Sequence, residues 1–172
     1  VAAGHKVTAL ARSDAAAAKV TALGAKARRG SLEDLDGLRA AAADADGVIH
    51  VGHRQDLLPS GGIDAVAAAE VQIMLAYGEA LAGTGKRLVV SGSIGSPGWE
   101  GLGRPATEAD PALPGGGYKG TLRVRNVVES AAIGLVEKGV RSSVVRIPPI
   151  MHSTTDNAGF LPLLIGLAKE KG

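Results

Sequence analysis

The sequence predicts a doubly wound α/β fold, in which a parallel β-sheet carries helices on both faces. Short segments of β-forming residues alternate five times with longer segments rich in alanine and leucine. Alternation with short connections is typical of parallel strands joined by helical crossovers. Hydrophobic residues make up 45% of the 172 residues but aromatic residues only 2%, so the apolar residues are mainly alanine, valine, leucine and isoleucine. Such side chains suit helices that pack closely on a sheet.

The first strand and helix are expected near the beginning of the chain. Residues Lys6 to Ala11 have the composition of a strand. The helix that follows has Ser13 as a plausible N-cap and Asp14 in its first turn, where a negative charge is favourable. Gly24 lies where a terminating glycine is expected.

A second strand and helix and a third strand are expected next. The strand lies in AKARRG, and the helix has Ser31 and Asp34 at a spacing similar to that of a capping box. The segment GVIHVGH, from Gly47 to His53, is apolar and predicts a strand that is buried on both faces.

The second half continues the alternation with longer helices. The predicted elements are a helix from about Ile63 to Leu81, a strand from Arg87 to Ser93, a glycine- and proline-rich loop from Ile94 to Gly117, a helix from about Tyr118 to Lys138 that Gly139 ends, a strand in SSVVRIPP and a helix from Phe160 to Lys171. A parallel sheet of this kind binds its ligands beyond the carboxyl ends of the strands.

Composition and charge exclude several classes of protein. The net charge is +2, and the densest basic cluster is only Lys26, Arg28 and Arg29, so we expect no nucleic-acid partner. The absence of cysteine excludes disulfides, thiol nucleophiles and thiolate metal sites, and it fits a cytoplasmic location. No apolar run approaches the roughly 18 residues that a membrane-spanning helix needs.

Several short motifs occur in an order that identifies a family. They are GHKVTALARS, GSLEDLDGL, ADGVIHV, LVVSGS, a glutamate within the long helix (Glu129) and GVRSSVVRIPP. In these motifs the chain resembles the extended short-chain dehydrogenases/reductases, and most closely the NAD-dependent epimerase/dehydratase-like subgroup. The resemblance implies a Rossmann-like fold, an NAD(P) cofactor and hydride transfer to or from a small carbonyl or alcohol substrate.

The family's glycine-rich GxxGxxG loop, which holds the cofactor pyrophosphate, has no counterpart in the sequence. The segment VAAGHKV resembles instead the end of the family's first helix, with Gly4 as its cap. By this resemblance, residues 1–172 form a single NAD(P)-binding Rossmann-like domain that is truncated at both ends. The family's C-terminal substrate-binding part is then expected beyond Gly172.

The resemblance assigns Arg12 and Ser13, at the end of one strand, to the adenosine ribose. A basic residue at this position pairs with the 2′-phosphate of NADP, whereas an acidic one would hydrogen-bond the ribose of NAD. We therefore expect NADP, with NAD as the alternative cofactor. The residues alone also allow a simpler interpretation, in which Arg12 is solvated and Ser13 only caps the helix.

The remaining cofactor contacts are implied by the same resemblance. Ser31 and Leu32 would flank the adenine ring, although Ser31 alone is also explained as a helix cap. The backbone of Val51, Gly52 and His53 would pass the cofactor, and His53 is better explained as a surface histidine than as a catalytic residue. The last two expected cofactor contacts are Ser91, at the end of a later strand, and Pro148.

Family chemistry requires a serine or threonine, a tyrosine and a lysine four residues after the tyrosine. Ser93 is the candidate for the substrate contact. No Y-x-x-x-K motif occurs, and alignment by Glu129 places Thr121 and Arg125 at the tyrosine and lysine positions. A threonine hydroxyl is far too weak an acid to replace a phenol, and arginine does not readily lose its charge. Tyr118, about one turn before Thr121, is the alternative proton donor.

The histidines give no metal-binding pattern. His50 and His53 are three residues apart on the predicted strand, which would place them on opposite faces. His152 follows the last strand and is either a substrate contact or an ordinary loop residue. We therefore expect no metal.

Two classes of function stay open from the sequence. The first is an NAD(P)-dependent oxidoreductase or epimerase-like enzyme, which the serines and the RIPP loop favour. The second is a catalytically inactive dinucleotide sensor, which the missing Y-x-x-x-K motif favours. Members of this superfamily often dimerise through the helices predicted at Ile63–Leu81 and Tyr118–Lys138, so a homodimer is one assembly that the sequence allows.

Overall fold

The computed structural model describes residues 1–94, 103–111, 121–148, 151, 153 and 160–171. Its strands are β1 (Thr8–Ala11), β2 (Lys26–Arg29), β3 (Gly47–His50), β4 (Arg87–Ser93) and β5 (Arg141–Ile147). Its helices are α1 (Asp14–Ala22), α2 (Leu35–Asp44), α3 (Leu58–Leu81), α4 (Thr121–Gly134) and α5 (Phe160–Lys171), with short 3₁₀ helices at Gln55–Leu57 and Leu135–Lys138. Strands and helices alternate as predicted, and the α/β fold class is confirmed.

The parallel strands form two separate sheets. β1 pairs with β2, and β3, β4 and β5 form a second sheet in that order; every pairing is parallel. In the doubly wound strand order 3-2-1-4-5-6, these strands take the positions 3-2 and 4-5-6.

The main hydrophobic core lies between α3, α4 and one face of the three-stranded sheet. Ile73 and Met74 of α3, Val128 of α4 and Leu88 and Val90 of β4 are all almost completely buried in one cluster. Gly78 of α3 has no side chain, and a Cβ there would collide with Leu135. The core thus fixes β4 and the two helices that flank it.

The prediction that β3 continues to His53 and is buried on both faces is wrong. The strand ends at His50, and the side chains of Ile49 and Val51 are 75% and 74% exposed. They alternate with Val48 and His50, which face the covered side. An apolar run in the sequence cannot reveal whether both faces of its strand are covered.

The helix ends correct one predicted cap and confirm another. Ser13 caps α1, with its Oγ accepting a hydrogen bond of 3.2 Å from the amide of Ala16. Ser31 does not cap α2, since its Oγ accepts from the amide of Glu33 in the preceding turn. Asp34 takes that role, accepting a 2.9 Å hydrogen bond from the amide of Gly37.

The long helix α3 begins five residues earlier than predicted, at Leu58, but Gly62 interrupts it with a φ of 66°. This positive φ is accessible to glycine and produces a kink. The regular helix after the kink starts near the predicted Ile63. At the other end of the core, Gly139 has a φ of 75° and ends the helical segment, as predicted.

Candidate functional site

The loops that follow β2 and β3 contact each other at the carboxyl ends of these strands. A Cβ placed on Gly52 would lie 2.9 Å from Cδ1 of Leu32, so the absence of a side chain at Gly52 lets Leu32 pack against the loop after β3. An ion pair of 2.8 Å also joins the guanidinium of Arg54 to Glu33. The structure thus brings together Leu32 and Gly52, two of the residues expected to line the cofactor.

Arg54 is the centre of this contact. Only 9% of the residue is exposed, and its guanidinium also donates hydrogen bonds of 3.0 and 2.9 Å to the two carboxylate oxygens of Asp56. These hydrogen bonds lower the pKa of Asp56, and the positive charge of Arg12 adds to the effect. The ends of β1, β2 and β3 therefore share one charged cluster.

Arg12 and Ser13 follow β1 directly, and both are exposed. Ser13 caps α1, so its hydroxyl already has a partner. The Arg12 side chain forms no hydrogen bond or ion pair within the described part of the chain, although it lies close enough to Asp56 to influence it. Its guanidinium is therefore accessible to an anionic ligand at this edge.

A buried carboxylate, that of Glu70 on α3, lies beneath the loop after β3. Glu70 is 1% exposed, and its Oε1 accepts a 2.7 Å hydrogen bond from the amide of Arg54. Its Oε2 lies 3.4 Å from Nε2 of His50, and its Oε1 lies 3.3 Å from Nδ1 of His53. Burial alone would raise the pKa of Glu70, but these contacts outweigh it and lower the pKa to about 2.

The prediction that His50 and His53 lie on opposite faces is therefore wrong. The chain leaves the strand after His50, so the alternation of a strand no longer applies at His53. Both imidazoles reach the same carboxylate. On the far side of His50, the hydroxyl of Tyr77 lies 3.5 Å from Nδ1, and burial, followed by the charge of Glu70, raises the pKa of Tyr77 to about 12.

The second part of the site is the carboxyl end of β4. Ser91 is half-buried, and Ser93 is 9% exposed. Between them, a Cβ on Gly92 would lie 2.5 Å from Cγ1 of Val144 and 3.1 Å from Oε2 of Glu129. Close packing of β4 against β5 and α4 therefore fixes the backbone that carries both serines.

A buried ion pair ties β5 and α4 to the segment 103–111. Arg146 donates a 2.6 Å hydrogen bond to Glu129, which is 3% exposed. The same guanidinium donates to the carbonyl oxygens of Thr107 and Asp110, at 3.2 and 2.6 Å. Hydrogen bonds from Arg104 hold the pKa of Asp110 far below its usual range, and those from Thr107 add to the effect.

An open cleft of about 1250 Å³ lies beside this ion pair. It is lined by Ile94, by residues of the segment 104–111, by α4 and by the length of β5 from Ser142 to Arg146. The cleft therefore follows the outer edge of the sheet and does not cross the ends of β1, β2 and β3.

The candidate catalytic residues are only partly described. Thr121 begins α4, and Arg125 is half-buried one turn later, so the predicted i, i+4 spacing on one helix is present. The side chain of Thr121 lies outside the described residues, as do Tyr118 and His152. Pro148 directly follows β5 and is exposed.

The sequence analysis missed Arg54, Glu70 and Tyr77. Glu70 and Tyr77 lie on the buried stripe of α3 that also includes Val66, Ile73 and Met74. An ionisable residue on such a stripe needs a buried partner, which is a signal that the sequence does contain. Arg54 gave no such signal, because a loop arginine is usually solvated.

The parallel α/β fold and the exposed arginine at the carboxyl ends of its strands are typical of dinucleotide-binding proteins. The family described as NAD(P)H-binding matches residues 1–132, and the chain belongs to that family. The resemblance to short-chain dehydrogenases/reductases is thereby confirmed for the family and for the Rossmann-like fold that its members share.

The most similar relatives include two uncharacterized fungal proteins. One, from Schizosaccharomyces pombe, is 35% identical over 174 residues, and the other, from Saccharomyces cerevisiae, is 34% identical over 178 residues. The alignments cover 99% and 100% of this chain but 54% of each relative. The chain therefore spans about half the length of the curated relatives that it matches.

Solved structures share the fold at low sequence identity. A Burkholderia cenocepacia protein with a provisional epimerase assignment has a TM-score of 0.65 at 21% identity, covering 95% of this chain and 52% of its own. The Bordetella bronchiseptica enzyme WbmH, solved with NAD⁺, also has a TM-score of 0.65, at 15% identity, covering 98% of this chain and 56% of its own.

Two negative findings apply to the residues that the structure describes. None of the helices in this part of the chain is both long and apolar enough to cross a membrane. No group of three or more histidine, cysteine, aspartate or glutamate side chains in the same part has an arrangement that would hold a metal ion.

Proposed function

We propose that the chain is the cofactor-binding part of an NADP(H)-preferring oxidoreductase that acts on a small carbonyl or alcohol. The observation that carries this proposal is the exposed guanidinium of Arg12, which has no hydrogen-bond or ion-pair partner among the described residues and lies beside the contacting loops after β2 and β3. In a parallel α/β sheet this edge binds ligands, and an arginine there suits a 2′-phosphate. Membership of the NAD(P)H-binding family supports the assignment of the ligand.

The adenosine end of the cofactor would then lie on β1 and β2. Arg12 would bind the 2′-phosphate, and Ser31 and Leu32 would border the adenine. Ser13 accepts a hydrogen bond in capping α1, and its O–H can still donate to a phosphate oxygen. The backbone of Val51 and Gly52 would pass the cofactor, and Ser91 and Pro148 would contact it further along the sheet.

The reacting end would lie at the carboxyl end of β4. Ser93 would hold the substrate oxygen, and Tyr118 would exchange the proton during hydride transfer. A guanidinium does not readily give up a proton, so Arg125 would bind ribose or phosphate and would not take part in proton transfer. Thr121 lies one turn from Arg125 and would at most add a hydrogen bond.

Cofactor preference is tested by comparing NADPH and NADH affinity in Arg12→Ala and in the wild type. Loss of a charge-assisted hydrogen bond should weaken NADPH binding by about ten-fold or more and leave NADH binding unchanged. Arg141→Ala is the matched control, because Arg141 is an exposed arginine at the amino end of β5. Equal losses for both cofactors, or none, would contradict the proposal.

Turnover is tested with a panel of aldehydes and ketones and NADPH, with Tyr118→Phe measured in parallel. The complete polypeptide that the gene encodes is the appropriate sample. Turnover that collapses in Tyr118→Phe would support Tyr118 as the proton donor, and turnover that survives would remove it.

A dinucleotide sensor is the second candidate function. It is favoured by the occurrence of Thr121 and Arg125, and not tyrosine and lysine, at the i, i+4 positions of α4. Tight NADPH binding with no turnover of any substrate in the panel would support this second function over the first.

A further inference from the structure

Among the described residues, the polar contacts of the Glu70 carboxylate all go to one short segment, residues 50–54. The carboxylate meets the side chains of His50 and His53 and the amide of Arg54. Burying an ionised carboxylate is costly unless it is well paired, and here its partners lie in or directly after β3. Glu70 therefore links the rigid helix α3 to the loop that borders the proposed cofactor site.

The opposite side of the carboxylate is held from within the core. Nε2 of His50 contacts Oε2, and Nδ1 of the same ring lies within 3.5 Å of the Tyr77 hydroxyl. The two rings also meet edge to face, with centroids 5.6 Å apart. Because these groups are buried, they restrict the position of the carboxylate itself.

His53 is the member of this group that reaches the surface. Its side chain is 16% exposed, and its Nδ1 lies 3.3 Å from Oε1 of Glu70, although not in the direction of a hydrogen bond. Nε2, across the ring, has no hydrogen-bond partner within the described part of the chain and is not buried. In a neutral imidazole one ring nitrogen carries the proton and the other accepts. The negative charge of Glu70 beside Nδ1 favours the proton on that nitrogen, which makes Nε2 the acceptor.

We propose that Glu70 is a positioning residue that holds His53 in the Nδ1–H form, so that Nε2 accepts a hydrogen bond from a ligand hydroxyl at the carboxyl end of β3. The inference rests on the proposed dinucleotide site, which this loop borders. Two ligands carry a suitable hydroxyl, namely the ribose of the cofactor and an alcohol substrate. Glu70 itself is too deeply buried to touch either one.

The first experiment needs no ligand. ¹⁵N NMR of the histidine side chains reports which ring nitrogen carries the proton, and amide exchange reports the Arg54 N–H. We expect the wild type to show His53 with the proton on Nδ1 and a protected Arg54 amide. In Glu70→Gln we expect the tautomer preference to be lost and the Arg54 protection to weaken, because a neutral carbonyl oxygen accepts more weakly than a carboxylate. A wild-type tautomer and amide protection that persist in Glu70→Gln would overturn the positioning role.

Glu79→Gln is the matched control for this variant. Glu79 lies on the same helix, but its carboxylate is exposed and pairs with Arg39 on α2. We expect neither the His53 tautomer nor the Arg54 amide to change in Glu79→Gln. A change equal to that in Glu70→Gln would also overturn the proposal, because it would reflect a general effect of removing charge from α3.

The second experiment measures ligand affinity in His53→Gln and His53→Asn. A glutamine amide reaches the position of Nε2, whereas the shorter asparagine amide mimics Nδ1. We expect His53→Asn to weaken the hydroxyl contact by about ten-fold and His53→Gln to retain most of it. The reverse order would show that only the contact with Glu70 matters and would overturn the ligand-binding role of Nε2.

The effect of the His53 variants on NADPH affinity and on KM distinguishes the two sources of the hydroxyl. A ribose contact lowers NADPH affinity itself, whereas a substrate contact raises KM for the alcohol and leaves NADPH affinity intact. If the wild type binds no dinucleotide, the proposed function fails, and the positioning role is still decided by the tautomer and the Arg54 amide.

Discussion

Two buried glutamates, Glu70 on α3 and Glu129 on α4, each fix a segment at the carboxyl side of a neighbouring strand. Glu70 accepts a hydrogen bond from the Arg54 amide after β3. Glu129 accepts a hydrogen bond from the guanidinium of Arg146 near the end of β5. Both carboxylates are at most 3% exposed. These two buried carboxylates therefore hold residues near the carboxyl ends of β3 and β5, where ligands are expected.

Removing the Glu129 carboxylate tests this role for the second pair. Glu129→Ala leaves the half-buried guanidinium of Arg146 without its carboxylate, so the free energy of unfolding should fall by about 3–5 kcal/mol. Urea denaturation followed by circular dichroism measures the change. The double variant Glu129→Ala with Arg146→Met should recover part of the loss, and no recovery would argue against a charge-pair origin.

The pKa of Glu70 predicts a dependence of stability on pH. Its pKa is lowered from 4.5 to about 2 in the folded state. The stabilisation is therefore fully present above about pH 4.5 and is lost as pH falls towards 2, with a magnitude of up to about 3 kcal/mol. Glu70→Gln should show a flatter loss of stability over this interval, and an unchanged slope would contradict the prediction.

At the scale of elements, the cap of α2 is the clearest difference between sequence and structure. Ser31 and Asp34 are both good capping residues, and a spacing of three does not say which one begins the helix. The structure selects Asp34, because Ser31 is engaged in the preceding turn. Choosing between them requires backbone geometry that the residue pattern does not contain.

The Asp34 cap gives a direct comparison of two alanine variants. Asp34→Ala should lower the free energy of unfolding by about 1 kcal/mol, as is typical for loss of a capping side chain. Ser31→Ala should cost clearly less, since it removes only a turn contact. Thermal denaturation measures both, and a larger cost for Ser31→Ala would support the original capping-box assignment.

The packing of β4 against β5 gives a second prediction at this scale. Gly92→Ala would place a methyl group 2.5 Å from Val144 and 3.1 Å from Glu129, so we expect a loss of about 1–3 kcal/mol. Gly134→Ala is the control, since a Cβ there meets nothing within 4 Å. Equal stability of the two variants would contradict the described packing.

Element positions were otherwise well predicted. The bounds of β4 and α5 agree with the sequence prediction, because both lie between clear glycine or polar boundaries. The error at β3 had a different origin. Burial of an apolar strand depends on what covers it, and Ile49 and Val51 lie on a face that no described helix covers.

At the scale of the whole molecule, the fold class followed from alternation alone, but the division into two sheets did not. Strand pairing depends on neighbours in space, and in the described part of the chain β1 pairs with β2 and not with β3. The pattern of motifs likewise predicted the family. It could not predict that Glu70, His50 and His53 converge, because that contact joins residues from a helix, from the end of a strand and from a loop.

Some of the site residues could likewise be predicted from the sequence, and others could not. Arg12, Leu32 and Gly52 were placed by motif order, and the structure puts them at one edge of the molecule. The buried cluster that supports this edge could not be predicted from the sequence, since it depends on the point at which the chain leaves β3. The catalytic assignments of Ser93 and Tyr118 stay predictions.

The most direct test of the account is titration of NADPH and NADH into the complete polypeptide that contains these residues, monitored by nicotinamide fluorescence. We predict saturable binding of both, with NADPH tighter by about ten-fold or more, and loss of that preference in Arg12→Ala. Absence of saturable binding of either dinucleotide would contradict the proposed function. A preference for NADH that Arg12→Ala leaves unchanged would contradict the role of Arg12.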